Sequence, residues 1–148
     1  LTKVLKLEEI LNSWDQDTEI DRTELGEESR KIAKLHAKYL RIRSTENLRL
    51  VQLQGQLKEL RLQKHEFYTL GPTKETAAKG WTLPAKGIVL KSDLPLYMDA
   101  DKDIIAMNLK VAYQAEIVAA LDMILKAVQG RNWEIGRMLD WQKFIQGG

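Results

Sequence analysis

The sequence predicts a mainly α-helical chain, and three observations carry that expectation. Apolar residues recur at three- and four-residue spacings through residues 25–67 and again through 104–145, the period of one face of a helix. The three prolines, Pro72, Pro84 and Pro95, all lie between these stretches, where a residue that cannot continue a helix does least harm. Strand-type sequence is confined to a short stretch of the same interval, centred on Ile88–Leu90.

Taken in order, residues 3–16 predict a short amphipathic helix with Leu7, Ile10, Leu11 and Trp14 on one face. Asp21 and Glu24 have the spacing of a capping box, which predicts a new helix from about Arg22 or Thr23. Its apolar residues are Leu25, Ile32, Leu35, Tyr39 and Ile42, and then Leu50, Leu53, Leu57, Leu60 and Phe67. The two sets are out of phase by one residue near "STEN", residues 44–47. One long helix with a stutter or a tight helical pair, ending near Tyr68, accounts for this. Gly71, Pro72 and Gly80 then favour turns. Residues 81–97 suggest a small β-hairpin or extended arm, limited by Pro84 and Pro95 to short or edge strands. A helix over about 101–129 has apolar residues on more than one stripe, which predicts burial on most sides. Gly130 and Asn132 suit a helix stop and a helix start, so "QGRN" predicts a corner, with a last helix over 133–145. The C-terminal region would thus be a helical hairpin.

A chain of 148 residues with three prolines and no low-complexity tract favours a single ordered domain. Four regions are expected within it: an acidic N-terminal region over residues 1–29, a basic helical region over 30–68, a linker or β segment over 69–98, and C-terminal helices over 99–148. With no cysteine there is neither a disulfide nor a thiolate site, which fits a reducing, cytoplasmic setting. The apolar stretch Ile104–Val128 is interrupted by Lys110, Glu116, Asp122 and Lys126, so no membrane span is expected. The N-terminus lacks a basic patch followed by an apolar run, so no signal peptide is expected either.

Charge is distributed unevenly. Residues 1–29 hold nine acidic and three basic side chains, whereas residues 30–64 hold ten basic and two acidic. Within "RKIAKLHAKYLRIR", residues 30–43, the basic residues Lys31, Lys34, Lys38 and Arg41 are spaced three, four and three. The apolar residues Ile32, Leu35, Tyr39 and Ile42 have the same spacing one position later, about 100° round a helix. One flank can pack while its neighbour carries charge. Acidic residues at i±4 that would relieve the repulsion are almost absent. Such a stripe points to a polyanion, foremost a nucleic acid. An acidic protein surface, such as the N-terminal region of a neighbouring subunit, or a plain solvated face are the other readings of the charge alone. The candidate nucleic-acid-binding residues are Lys31, Lys34, Lys38, Arg41, Arg43, Arg49, Lys58, Arg61 and Lys64. Tyr39, Phe67 and Tyr68 lie close by and either stack on bases or, the preferred reading, belong to the core.

Catalytic patterns are missing. His36 and His65 have no metal-ligand partner at a zinc-type spacing, and no GxSxG or Walker-type phosphate loop occurs. "DADKDI", residues 99–104, imitates the start of a calcium loop, but its sixth position is Ile104 and its twelfth Lys110. It is better read as the acidic N-terminus of a helix. The last helix carries Trp133, Leu139, Trp141, Phe144 and Ile145, which either close the monomer's core or form a subunit interface.

The order of these features resembles the UvsY-type recombination mediators of large tailed phages. The similarity runs through "KLEEIL", "EIDRTEL" (Ile20, Asp21, Thr23, Leu25), "HEFYTLG" (Glu66, Phe67, Tyr68) and "DADKDI" (Ala100, Asp101, Lys102, Asp103). It continues through "RNWEIGRMLDWQKFIQG", with Arg131, Ile135, Asp140, Phe144 and Gly147 at matching places. The resemblance implies a non-enzymatic mediator that binds single-stranded DNA, weakens the phage single-strand-binding protein on it and loads a RecA-type phage recombinase. It also implies a ring-like homo-oligomer, hexameric or heptameric, in the host cell cytoplasm. No cofactor, metal or nucleotide is implied for this chain. A Lys-x-Arg pair that the family ties to DNA falls here on Leu62 and Lys64, of which only Lys64 keeps the charge. The family's C-terminal segment is tied to self-association. A helical oligomeric scaffold that binds acidic proteins, with no direct DNA role, is the alternative function.

Overall fold

The computed structural model describes residues 6–147. Five helices make up its regular structure: α1 (Leu7–Asp17), α2 (Leu25–Leu70), α3 (Lys74–Ala78), α4 (Leu94–Asp99) and α5 (Lys102–Ile145). The chain divides into two compact units. One combines the chain up to Leu48 with the chain from Gln114 onward, and the other spans Arg49–Tyr113.

In the first unit, α1 begins later than the expected residue 3, and residues 3–5 lie outside the described residues. Glu8 and Glu9 occupy its first turn, where the helix dipole favours anions. Ile10 is buried in a core with Tyr39, Ile117, Leu121, Ile124 and Val128, and Leu7, Trp14, Ile32, Leu35, Ile42 and Leu125 pack against that core. Trp14 meets Tyr39 edge-on, with ring centroids 5.6 Å apart. Asp21 does not act as a capping box. Its Oδ1 accepts from the backbone N–H of Thr23 at 2.9 Å and from the Thr23 hydroxyl at 2.6 Å, closing a local turn two residues long. The helix therefore starts at Leu25 instead of Arg22 or Thr23.

Residues 44–47 do not break the helix: α2 is continuous, so the helical-pair alternative is wrong. The change of phase marks a change of packing partner. Leu35, Tyr39 and Ile42 face the core of the first unit. Leu57, Leu60 and Phe67 face that of the second, with Tyr68, Val89, Leu94, Met98 and Ile104. Tyr39, Phe67 and Tyr68 are all buried, as the core reading expects. The helix ends two residues beyond Tyr68, before Gly71. There φ is +97°, a conformation that favours glycine, and the N–H closes back on the Phe67 carbonyl.

Two corrections concern the later chain. Among the described residues there is no strand, so the hairpin expected over 81–97 is absent. The Val89 N–H, which a hairpin would commit to a partner strand, donates to the Tyr68 carbonyl at the end of α2 instead. Pro95 sits in the first turn of α4, where its missing N–H costs nothing. The corner at "QGRN" is also absent: α5 runs unbroken through Gly130, and the C-terminal helical hairpin is replaced by one helix. A helix-interior glycine costs about 1 kcal/mol. That is outweighed at the next residue, where Arg131 is buried and donates to the carbonyls of Thr18 (2.9 Å), Asp17 (3.2 Å) and Glu19 (3.3 Å). A turn at 130–132 would forfeit those bonds and the burial of Ile135.

Helix α5 is also less enclosed than expected. Among the described residues it is the one helix long and apolar enough to cross a membrane. Its residues Ile117, Leu121, Ile124 and Val128 are taken up by the core of the first unit. Ile105, Leu109, Tyr113 and Met123, however, are exposed. Within the first unit, Glu46 is buried and accepts from the Gln114 amide at 2.7 Å, so even this carboxylate has a partner.

The N-terminus of α5 follows the helix-start reading of "DADKDI". Asp101 Oδ1 accepts from the N–H groups of Asp103 (2.9 Å) and Ile104 (3.0 Å), and its Oδ2 accepts from the Tyr68 hydroxyl at 2.6 Å. Burial alone would raise the Asp101 pKa. The bonds from Tyr68, the Ile104 N–H and Lys64 outweigh it and hold the carboxyl below its ordinary 3.8. Burial and the adjoining Asp101 push the Tyr68 hydroxyl up.

Two outcomes follow. Arg131→Ala leaves three carbonyls unpaired and should lower stability by about 2–4 kcal/mol. Urea unfolding followed by circular dichroism measures this, and an unchanged midpoint would remove Arg131 from the account. Because Asp101 has a depressed folded pKa, its contribution is complete above about pH 4 and is lost as pH falls through the lower folded value. Wild-type stability should therefore fall below about pH 4, and Asp101→Asn should show a shallower fall over the same range. Parallel pH profiles for the two chains contradict this.

Candidate nucleic-acid interface

The first unit carries the basic block on α2. Lys31, Lys34, Lys38 and Arg41 are all exposed, along one stripe beside the buried flank of Ile32, Leu35, Tyr39 and Ile42. Tyr39 is the pivot of this flank. It is fully buried, and its hydroxyl donates to Asp17 Oδ2 at 2.7 Å, with Ser13 Oγ 3.2 Å away. Burial, with the Asp17 charge adding to it, pushes the Tyr39 hydroxyl up to about 12, so it stays protonated at any physiological pH.

The four stripe cations differ in their partners. Lys38 Nζ donates to Asp17 Oδ2 at 2.6 Å and to Ser13 Oγ at 3.1 Å. Lys31 Nζ pairs with Glu28 Oε1 at 3.2 Å. Among the described residues, the side chains of Lys34 and Arg41 have no ion-pair partner. Partial burial would raise the Asp17 pKa, but the bonds from Lys38 and Tyr39, with the positive charge of Lys38 and Arg131, leave it lowered. The carboxylate is thus ionised whenever the stripe is. Arg43 is off the stripe, about 200° from Arg41 on the helix. Its Nε donates to Asp122 of α5 at 2.9 Å, so it braces the unit while its side chain stays about one-third exposed.

In the second unit, Arg49 is half-buried, and Lys58, Arg61 and His65 are exposed at spacings of three and four on one face. Lys64 is a correction. It is only 4% exposed, with Nζ 2.8 Å from Asp103 and 3.1 Å from Asp101, and it lies 3.8 Å over the Trp81 ring. A lysine so enclosed cannot meet a phosphate backbone. Its neighbours Leu57, Leu60, Phe67 and Tyr68 on the helix put position 64 on the core side. That phase was readable in the sequence; the carboxylates waiting there were not.

The C-terminal aromatic residues do not close a core. Trp133, Trp141 and Phe144 are 66%, 61% and 71% exposed, and Leu139 and Ile145 are exposed with them. Trp141 and Phe144 stack, with ring centroids 5.6 Å apart, and the Arg137 guanidinium lies 4.6 Å over Trp133. Of the apolar residues at this end, Ile135 is the buried one among the described residues. Asp17 and Glu28 were not among the expected site residues. Their segment's excess of acid was visible in the sequence, but which carboxylate reaches which lysine depends on the fold.

No curated protein matches the chain in sequence. Three solved structures of the bacteriophage T4 recombination mediator protein UvsY share its fold. The lattice type II crystal structure has a TM-score of 0.79 at 22% identity and covers 98% of this chain and 100% of that one. The type IV structure gives 0.77 at 19% identity, with 95% and 98% covered. The type I structure gives 0.76 at 20% identity, with 92% and 98% covered. The sequence pattern of the family described as recombination, repair and ssDNA binding protein UvsY matches residues 13–148. The chain therefore belongs to the UvsY family of recombination, repair and single-stranded-DNA-binding proteins.

Proposed function

We propose that this chain is a recombination mediator. It binds single-stranded DNA through the exposed α2 stripe, weakens a phage single-strand-binding protein on that strand, and loads a RecA-type phage recombinase. It does so in the host cell cytoplasm, as a ring-like homo-oligomer. The observation that carries this reading is the stripe on a member of this family: Lys31, Lys34, Lys38 and Arg41 face solvent together, and Lys34 and Arg41 have no carboxylate paired with them among the described residues. A phosphate backbone supplies the countercharge that the fold withholds, and it releases its own counterions in doing so. Lys58 and Arg61 offer a further pair of exposed cations in the second unit.

Self-association rests on the other end of the chain. Trp133, Trp141, Phe144 and Ile145 present a large apolar area to solvent. Burying such area between subunits is favourable at roughly 25 cal/mol per Å². Linking several subunits turns modest contacts into avidity along one strand.

Lys34→Glu with Arg41→Glu should weaken binding to a labelled oligonucleotide at least tenfold at low salt. The slope of log affinity against log salt should shrink by about 0.7 for each phosphate that is no longer neutralised. Circular dichroism should stay unchanged, because neither side chain holds the fold together. Affinity equal to wild type would move the DNA site off this stripe. Trp141→Gln with Phe144→Gln should lower the mass seen by light scattering, while retaining the buried Ile135 keeps the helix folded. An unchanged mass places the subunit interface elsewhere.

A further inference from the structure

We infer that Asp17 and Glu28 are built-in competitors for the DNA site, occupying Lys38 and Lys31 until a phosphate displaces them. The inference rests on the single-stranded-DNA reading of the stripe and goes beyond it by identifying residues that limit its affinity. Asp17, Glu19 and Glu28 line the same groove as Lys31, Lys34 and Lys38. Two of the four stripe cations are therefore already satisfied by carboxylates, at 2.6 Å (Lys38) and 3.2 Å (Lys31). Both lysines stay about half exposed, with side chains 45% and 59% accessible, so an incoming anion can reach them without unfolding the unit.

The position of Asp17 argues for this role. It is the last residue of α1, the end at which the helix dipole disfavours an anion. An acceptor for the buried Tyr39 hydroxyl is needed there, but a neutral amide oxygen would serve as well. What the negative charge adds over an amide is a countercharge, first for Lys38, which it bonds directly, and more distantly for Arg131. Carboxylate and phosphate oxygens ask for the same ammonium protons, so one is bound at the expense of the other. The free energy of releasing Asp17 and Glu28 is subtracted from DNA affinity. The retained pairs also damp repulsion along the stripe in the DNA-free protein.

A double-mutant cycle on the full chain tests this, with anisotropy of a labelled poly-dT oligonucleotide as the readout. Asp17→Asn keeps an acceptor for Tyr39 and frees Lys38. It should tighten binding by about two- to fivefold, the range that an exposed ion pair supports. It should also raise the magnitude of the salt slope by about 0.7, for one additional phosphate neutralised. In a Lys38→Gln background the same substitution should change affinity little, because the lysine it frees is gone. An equal gain in both backgrounds, or no gain with Lys38 present, overturns the inference. Should Asp17→Asn lose helicity, Glu28→Gln with and without Lys31→Gln reads the same competition at the second pair, because the loss of the Glu28 charge beside Arg131 is common to both backgrounds and cancels in the cycle. If the wild-type chain shows no salt-dependent binding, the DNA reading itself fails and takes the inference with it. Binding without the expected gain overturns the inference alone.

Discussion

A buried guanidinium holds the first unit together. Arg131 gives its N–H groups to three successive carbonyls, those of Asp17, Thr18 and Glu19, at the C-terminal end of α1. A helix C-terminus leaves carbonyls without partners and carries partial negative charge, and a cation answers both needs at once. Glu28, with Oε2 3.9 Å from the guanidinium, adds a countercharge to a group that could not otherwise be buried. With α1 fixed to α5 in this way, Asp17 is set beside Tyr39 and Lys38 of α2. The three helices then share one core. The arrangement of the basic stripe thus begins with one residue outside it.

The second unit uses the opposite pole. Asp101 caps the N-terminus of α5, where unpaired N–H groups and positive partial charge await an anion. Lys64 and Tyr68 of α2 bond to that anion, and Trp81, from the segment after α3, lies against Lys64. In each unit, then, a buried ion sits at the helix end whose dipole suits it, and an oppositely charged side chain accompanies it. Each unit also buries a basic side chain whose burial a charge count does not reveal. Arg131 lies in an unremarkable C-terminal stretch, and Lys64 belongs to what reads as the basic run.

The basic run contains side chains with different physical roles. Among the described residues, Lys34 and Arg41 are solvated with no ion-pair partner, Lys31 and Lys38 are solvated but matched by carboxylates, Arg43 is partly exposed and paired with Asp122, and Lys64 is enclosed. A charge count treats all of these alike. For a polyanion they are not alike, because only a cation that can exchange its partner contributes to counterion release. In the first unit, Asp17, Glu19 and Glu28 of the acidic segment and Lys31, Lys34 and Lys38 of the basic one line a single groove.

Sequence by itself determined the helical class, the change of apolar phase near residues 44–47, the N-terminus of α5 at Asp101 and the one-sided charge of residues 30–43. All four are local: they follow from the 3.6-residue period, from capping chemistry and from the order of charged side chains. The resemblance of collinear segments was legible too, and the family match over residues 13–148 agrees with it. Tertiary structure decided the rest. Gly130 and Asn132 look like a corner only until Arg131 is seen to gain three hydrogen bonds by keeping the helix whole. Residues 81–97 look like strands only until Val89 is seen to pair with the end of α2. Lys64 looks like a phosphate ligand only until Asp101 and Asp103 close on it. In each case the local preference is worth about a kilocalorie per mole, and a buried charge or hydrogen bond formed with a residue distant in sequence is worth more.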